Sequence, residues 1–122
     1  MNWFDYLDLA DEWAGEPGDA HKRSAVSRAY YAMFCTARNE LRDAIEDYSP
    51  PECGSEHKYV WDAYRDDRHP RGTRAIGVLG SRLWRHRNRA DYCDVVLDLT
   101  ELVDDALDAA RELKEHLKDL RP

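Results

Sequence analysis

A chain of 122 residues with a formal charge of −7 has the size of one domain, 1–122. It can hide about two-thirds of its unfolded surface, enough for a core without covalent staples. No apolar run reaches the roughly 18 residues that a spanning helix needs, which excludes a membrane partner from the expectation.

The periodic segments are all helical. Residues 3–14 offer Trp3, Phe4, Leu7, Ala10 and Trp13 as one apolar face before "GEPGD" breaks the pattern. Asp19 is placed to cap a long second helix, about 20–47, whose apolar positions from Val26 to Ile45 recur at steps of three and four. "YSPPECGS" stops it, since consecutive prolines cannot continue a helix. Ser55 is a cap for a short third helix, 56–65, with Val60, Trp61 and Tyr64 inward. After "RDDRHPRG", a fourth helix carries Ile76, Leu79, Leu83 and Trp84, although Gly72, Gly77 and Gly80 lower its intrinsic helicity. Asp94 then caps a last helix, about 95–120, with an unbroken seam from Val96 to Leu120. No segment alternates with period two, so the expected fold is all-α, an antiparallel bundle of four or five helices. Its long seams also raise homodimerisation, with the N-terminal aromatic residues either forming a dimer patch or closing the end of the bundle.

The three cysteines, Cys35, Cys53 and Cys93, form no CxxC pair, and the acidic start "MNWFDYLDLADEW" lacks a signal-peptide layout. A reduced, cytoplasmic protein is expected. Charge is unevenly spread. Residues 65–89 hold eight arginines against two aspartates, while both flanks are acidic. A basic island in an acidic shell suits one anionic ligand at one place better than a general nucleic-acid coat. The island could equally pair with neighbouring acidic helices. It culminates in "RHRNRADY", residues 85–92, where three arginines and a histidine occupy five positions.

Together, "SRAYYAMF" (27–34) and "RNRADY" (87–92) resemble the HEPN superfamily, in its small stand-alone branch. The resemblance covers nearly the whole chain, with "SEHKYV" at a position where that branch commonly has a His. It implies a helical bundle that dimerises and brings two Arg-containing motifs together. It implies RNA as the ligand, with metal-independent endoribonuclease activity in active members. The setting it implies is a toxin–antitoxin or anti-phage defence system, with a nucleotidyltransferase antitoxin or a larger defence complex as partner. Other members only bind nucleotides or scaffold. In the family motif an Arg and a polar residue are followed, after a short gap, by a His. Arg87 and Asn88 match the first two, and Tyr92 stands where the His belongs. A histidine exchanges protons near neutral pH and a phenol does not, and losing a positioned acid–base group costs about 10²–10⁴ in rate. Either cleavage is weak or absent, or another group moves the proton.

The candidate catalytic residues are therefore Arg87, Asn88 and Tyr92, and the candidate RNA- or nucleotide-binding residues are Arg28, Arg85, Arg89, Asp91 and His86. Arg87 offers a planar fork to phosphate oxygens. Asp91, four residues on, shares its helix face and can orient the guanidinium or form a plain structural bridge. His86 diverges from Arg87 by about 100° and is expected as an exposed helix-end residue unless a dimer completes the site. Arg28 sits beside the apolar face, able to reach the motif. Tyr92 is expected as a buried ring whose hydroxyl is satisfied by Arg28 or a carbonyl, with phosphate donation as the alternative. His57 is expected as a polar cap of the third helix. Cys53 and His57, with Cys93 and His69 or His86, lack the two tight pairs of a zinc site. No phosphate-cradling glycine loop and no nucleophile elbow occurs. Neither metal nor cofactor is expected.

Overall fold

The computed structural model describes residues 2–121 as five α-helices: α1 Phe4–Ala14, α2 Asp19–Ala44, α3 Glu56–Arg65, α4 Arg74–Tyr92 and α5 Leu99–Lys118. No strand occurs among the described residues. The 26-residue α2 is the spine, packed against α1, α4 and α5, while α3 lies mainly on α4. One continuous core results. It takes Val26, Tyr30, Met33 and Leu41 from α2, Trp61 and Tyr64 from α3, Ile76 and Leu83 from α4, and the seam Val103–Ala106–Ala110–Leu113 from α5. Among the described residues no helix is long and apolar enough to cross a membrane.

Two glycines set the α3–α4 crossing. A Cβ at Gly77 would lie 2.5 Å from the Trp61 carbonyl oxygen and 2.7 Å from the Arg65 backbone nitrogen, and a Cβ at Gly80 would enter the Trp61 indole. The residues that weaken α4 as an isolated helix are thus the ones that let α3 approach it. At the far end of α3, Asp67 adopts a left-handed φ of 58°. The Asp67 and Arg68 amides donate back to the Tyr64 and Ala63 carbonyls, a Schellman-type stop.

The helix ends correct three expectations. α2 stops at Ala44, not near 47, and its N-cap position belongs to Gly18, at φ 100°. Asp19 is instead inside the first turn, where its charge still complements the helix dipole. α5 begins at Leu99, with Asp98 rather than Asp94 at its cap position. The cause is tertiary. Arg23 Nη1 donates to the carbonyls of Ala90 (2.8 Å) and Cys93 (2.5 Å), and Nη2 to that of Asp94 (3.1 Å). These bonds hold the chain outside helical geometry after Tyr92. Ser55 is the cap that its position predicted, accepting from the Lys58 amide. At the N-terminus, Trp3, Phe4 and Trp13 pack partly buried against the core and close that end of the bundle.

Candidate anion site at Arg87

Residues from three helices converge on Arg87. On α2, the consecutive Tyr30 and Tyr31 point in different directions, as neighbours on a helix must. Tyr30 is fully buried and Tyr31 lies at the rim. From α3 comes His57, and α4 contributes Trp84, Arg87, Asn88, Asp91 and Tyr92.

The Arg87 side chain is only 13% exposed. Its guanidinium carbon lies 5.2, 5.4 and 6.0 Å from the ring centroids of Tyr31, Tyr92 and Tyr30. Cation–π attraction to three rings holds a charge that burial alone would penalise. Nη2 donates to the hydroxyls of Tyr31 (2.9 Å) and Tyr92 (3.4 Å), and Nη1 donates to Asn88 Oδ1 (3.2 Å). Nε sits 2.8 Å from Asp91 Oδ2 as an ion pair, but its N–H is not aligned for a hydrogen bond. One carboxylate therefore offsets the charge, while most N–H donors meet neutral oxygens. The Tyr92 contact is the longest and the most easily displaced.

His57 borders the same tyrosine pair, its ring centroid 5.5 Å from that of Tyr30 and 6.3 Å from that of Tyr31. Phe34 (4.1 Å) and Trp84 (5.6 Å) stack on it nearly parallel. Its Nδ1 is 2.5 Å from the Tyr30 hydroxyl, and that hydroxyl accepts from Trp61 Nε1 at 3.1 Å. Burial, reinforced by the Arg87 charge and by Arg38, lowers the His57 pKa, and Glu56 opposes the shift. Burial pushes the Tyr30 hydroxyl far above the usual phenol range, with the Trp61 bond and Arg87 pulling the other way. The imidazole at this site is therefore neutral at pH 7.

The structure places the expected site residues in three locations. Arg87, Asn88, Asp91 and Tyr92 come together. Tyr92 is not the buried ring that was expected. It is 71% exposed, because α4 ends there and the Arg23 clamp turns the following chain away. Arg28 lines a groove with Tyr31 and Asp91 but makes no hydrogen bond or ion pair to the motif among the described residues. Its guanidinium lies over Tyr6 (5.5 Å) and Trp13 (5.1 Å), drawn to the α1 aromatic rings. Arg85, His86 and Arg89 line a separate groove with Arg82, facing Asp105, Asp108 and Glu112 of α5. There burial and the three arginines lower the His86 pKa against the pull of Asp105. Three of the eight arginines of the basic island thus face acidic α5.

His57 does not cap α3. Ser55 does, which frees the imidazole to enter the aromatic stack. Trp84, assigned to the core by periodicity, lies half-buried on the outer face of that stack. Only the doublet "YY" and the position of His57 in "SEHKYV" hinted at this half of the site. Among the described residues, no three His, Cys, Asp or Glu side chains converge in a way that could hold a metal ion.

Comparison with protein-family models, curated proteins and solved structures finds no match to this chain.

Proposed function

We propose that this chain is a HEPN-type helical module that binds RNA, Arg87 holding a phosphate and the surrounding rings receiving the attached nucleotide. The observation that carries this reading is the Arg87 cage. A guanidinium is held on three tyrosine rings, with the weak Tyr92 contact ready to yield to a phosphate oxygen. Asn88 and Tyr31 fix the plane of the fork. Half-exposed aromatic faces beside a cation suit unpaired nucleotides better than duplex.

The side chains support binding more than cleavage. Metal-independent scission needs a group that moves a proton near neutral pH. Tyr92 occupies the motif position for it, and His57, the imidazole that borders the Tyr30–Tyr31 pair, has Nδ1 engaged by Tyr30. The toxin–antitoxin or anti-phage setting, and a nucleotidyltransferase partner, are proposed on the resemblance of "SRAYYAMF" and "RNRADY". Homodimerisation gains support from the strip after the site, where Val95 is 74% and Leu97 89% exposed.

The test is RNA binding and an unbiased RNA digest with the native protein and Arg87→Ala. Binding is expected in the native protein and lost in the variant, with little cutting by either. Equal binding by both removes Arg87 from the reading.

A further inference from the structure

The Trp61–Tyr30–His57 chain has a direction. Tyr30 is fully buried, and its oxygen already accepts the Trp61 N–H. Its own proton has one acceptor within reach, His57 Nδ1 at 2.5 Å. If Nδ1 carried a proton instead, the buried phenol hydrogen would be stranded, an arrangement costly enough to decide the tautomer. The His57 proton therefore sits on Nε2. That atom makes no hydrogen bond among the described residues and is not one of the buried unpartnered atoms, so it reaches the surface. Phe34 and Trp84 both stack nearly parallel to the ring, so a ligand meets its edge.

We infer that His57 is a fixed neutral donor which reads an acceptor atom on an unpaired nucleobase whose phosphate Arg87 holds. The inference rests on the RNA-binding reading above and adds to it a specificity-determining contact. Three features favour a base over a second phosphate. A neutral N–H gains less from an anion than a guanidinium does. The rims of Tyr31, Trp84 and Tyr92 provide rings on which a base can stack. Arg87 and His57 both border the Tyr30–Tyr31 pair, Arg87 5.2 Å from the Tyr31 centroid and His57 5.5 Å from that of Tyr30, so that one bound nucleotide meets both. Duplex RNA is disfavoured because its bases are paired and because Arg82, Arg85 and Arg89 face acidic α5 rather than extending the site. Tyr30 is the positioning residue, acting through the imidazole it orients.

The tautomer is read directly by long-range ¹H–¹⁵N correlation on the native protein. A proton on Nε2 is expected, and a proton on Nδ1 would overturn the inference. Recognition is tested with the paired variant Tyr30→Phe/His57→Phe, which removes both hydrogen-bonding groups and keeps the rings. Three probes are titrated: a mixed-sequence single-stranded RNA, the same RNA as a duplex, and ribose 5-phosphate. Single-stranded RNA is expected to bind the variant roughly 3- to 10-fold more weakly, the worth of one neutral hydrogen bond. Ribose 5-phosphate is expected to bind both proteins alike. Unchanged single-strand affinity in the variant, or native binding of duplex as tight as single strand, sinks the inference and leaves the Arg87 reading standing. Native-like phosphate and RNA binding by Arg87→Ala sinks the underlying reading instead.

Discussion

The Tyr30 hydroxyl and His57 Nδ1 lie 2.5 Å apart, and this one contact joins the core of the bundle to its candidate site. Burial of two histidines gives stability a pH dependence. His57 and His86 both have folded-state pKa values below the ordinary 6.5, each chiefly through burial. The unfolded chain therefore takes up protons first as pH falls below about 6.5, and stability rises with pH in that window. The groups facing His57 are Arg87, Arg38, Glu56 and Tyr30. Urea unfolding is expected to show full stability above pH 6.5 and progressive loss below it. The loss should shrink in Tyr30→Phe/His57→Phe. An identical slope in that variant would assign the effect elsewhere.

Gly80→Ala is expected to destabilise by about 1–3 kcal/mol, through overpacking against the Trp61 ring. Gly77→Ala should be at least as harmful, because the atoms it meets are the backbone of α3. Gly15→Ala, whose Cβ would meet only the Glu12 carbonyl at 3.6 Å, is the benign control. Denaturant midpoints for the three variants decide the order. A stabilised Gly80→Ala would mean that helix propensity outweighs the crossing.

Arg23→Met should loosen the segment between α4 and α5. It removes three donated hydrogen bonds, to Ala90, Cys93 and Asp94, and keeps much of the side-chain stem. A loss of about 1–3 kcal/mol is expected, with faster amide exchange localised to residues 93–98. Exchange that accelerates evenly over the whole chain would contradict a local clamp.

Asp67→Gly should stabilise the chain by about 0.5–1 kcal/mol, because glycine occupies a left-handed φ without the steric cost that a Cβ adds. Thermal unfolding measures it, and a lowered midpoint would show that the Asp67 side chain contributes more than its backbone strain costs.

Much of the fold was legible because helical periodicity is local. The seam Val103–Leu113, the break at Pro50 and Pro51, and the Ser55 cap are set by residues a few positions apart. Half of the site was legible for the same reason. Arg87 and Asp91 are one helical turn apart, and the 2.8 Å ion pair follows from that spacing. The other half was not. Arg28 and Arg87 look alike in sequence, yet one is drawn to the α1 aromatic rings and the other to α2 tyrosines.

The sequence by itself determined five helical segments, an amphipathic pattern able to bury one core, and a basic island holding an Arg–Asp pair. Tertiary structure alone decided that Arg82, Arg85 and Arg89 face acidic α5 while Arg87 turns onto tyrosines. It alone decided where α5 begins, because Arg23 holds carbonyls about seventy residues away. And only the packing of α3 on α4, permitted by Gly77 and Gly80, carries His57 to the Tyr30 hydroxyl. Side-chain periodicity is fixed by bonds along one helix, whereas the partner of a guanidinium or an imidazole is fixed by which helices meet.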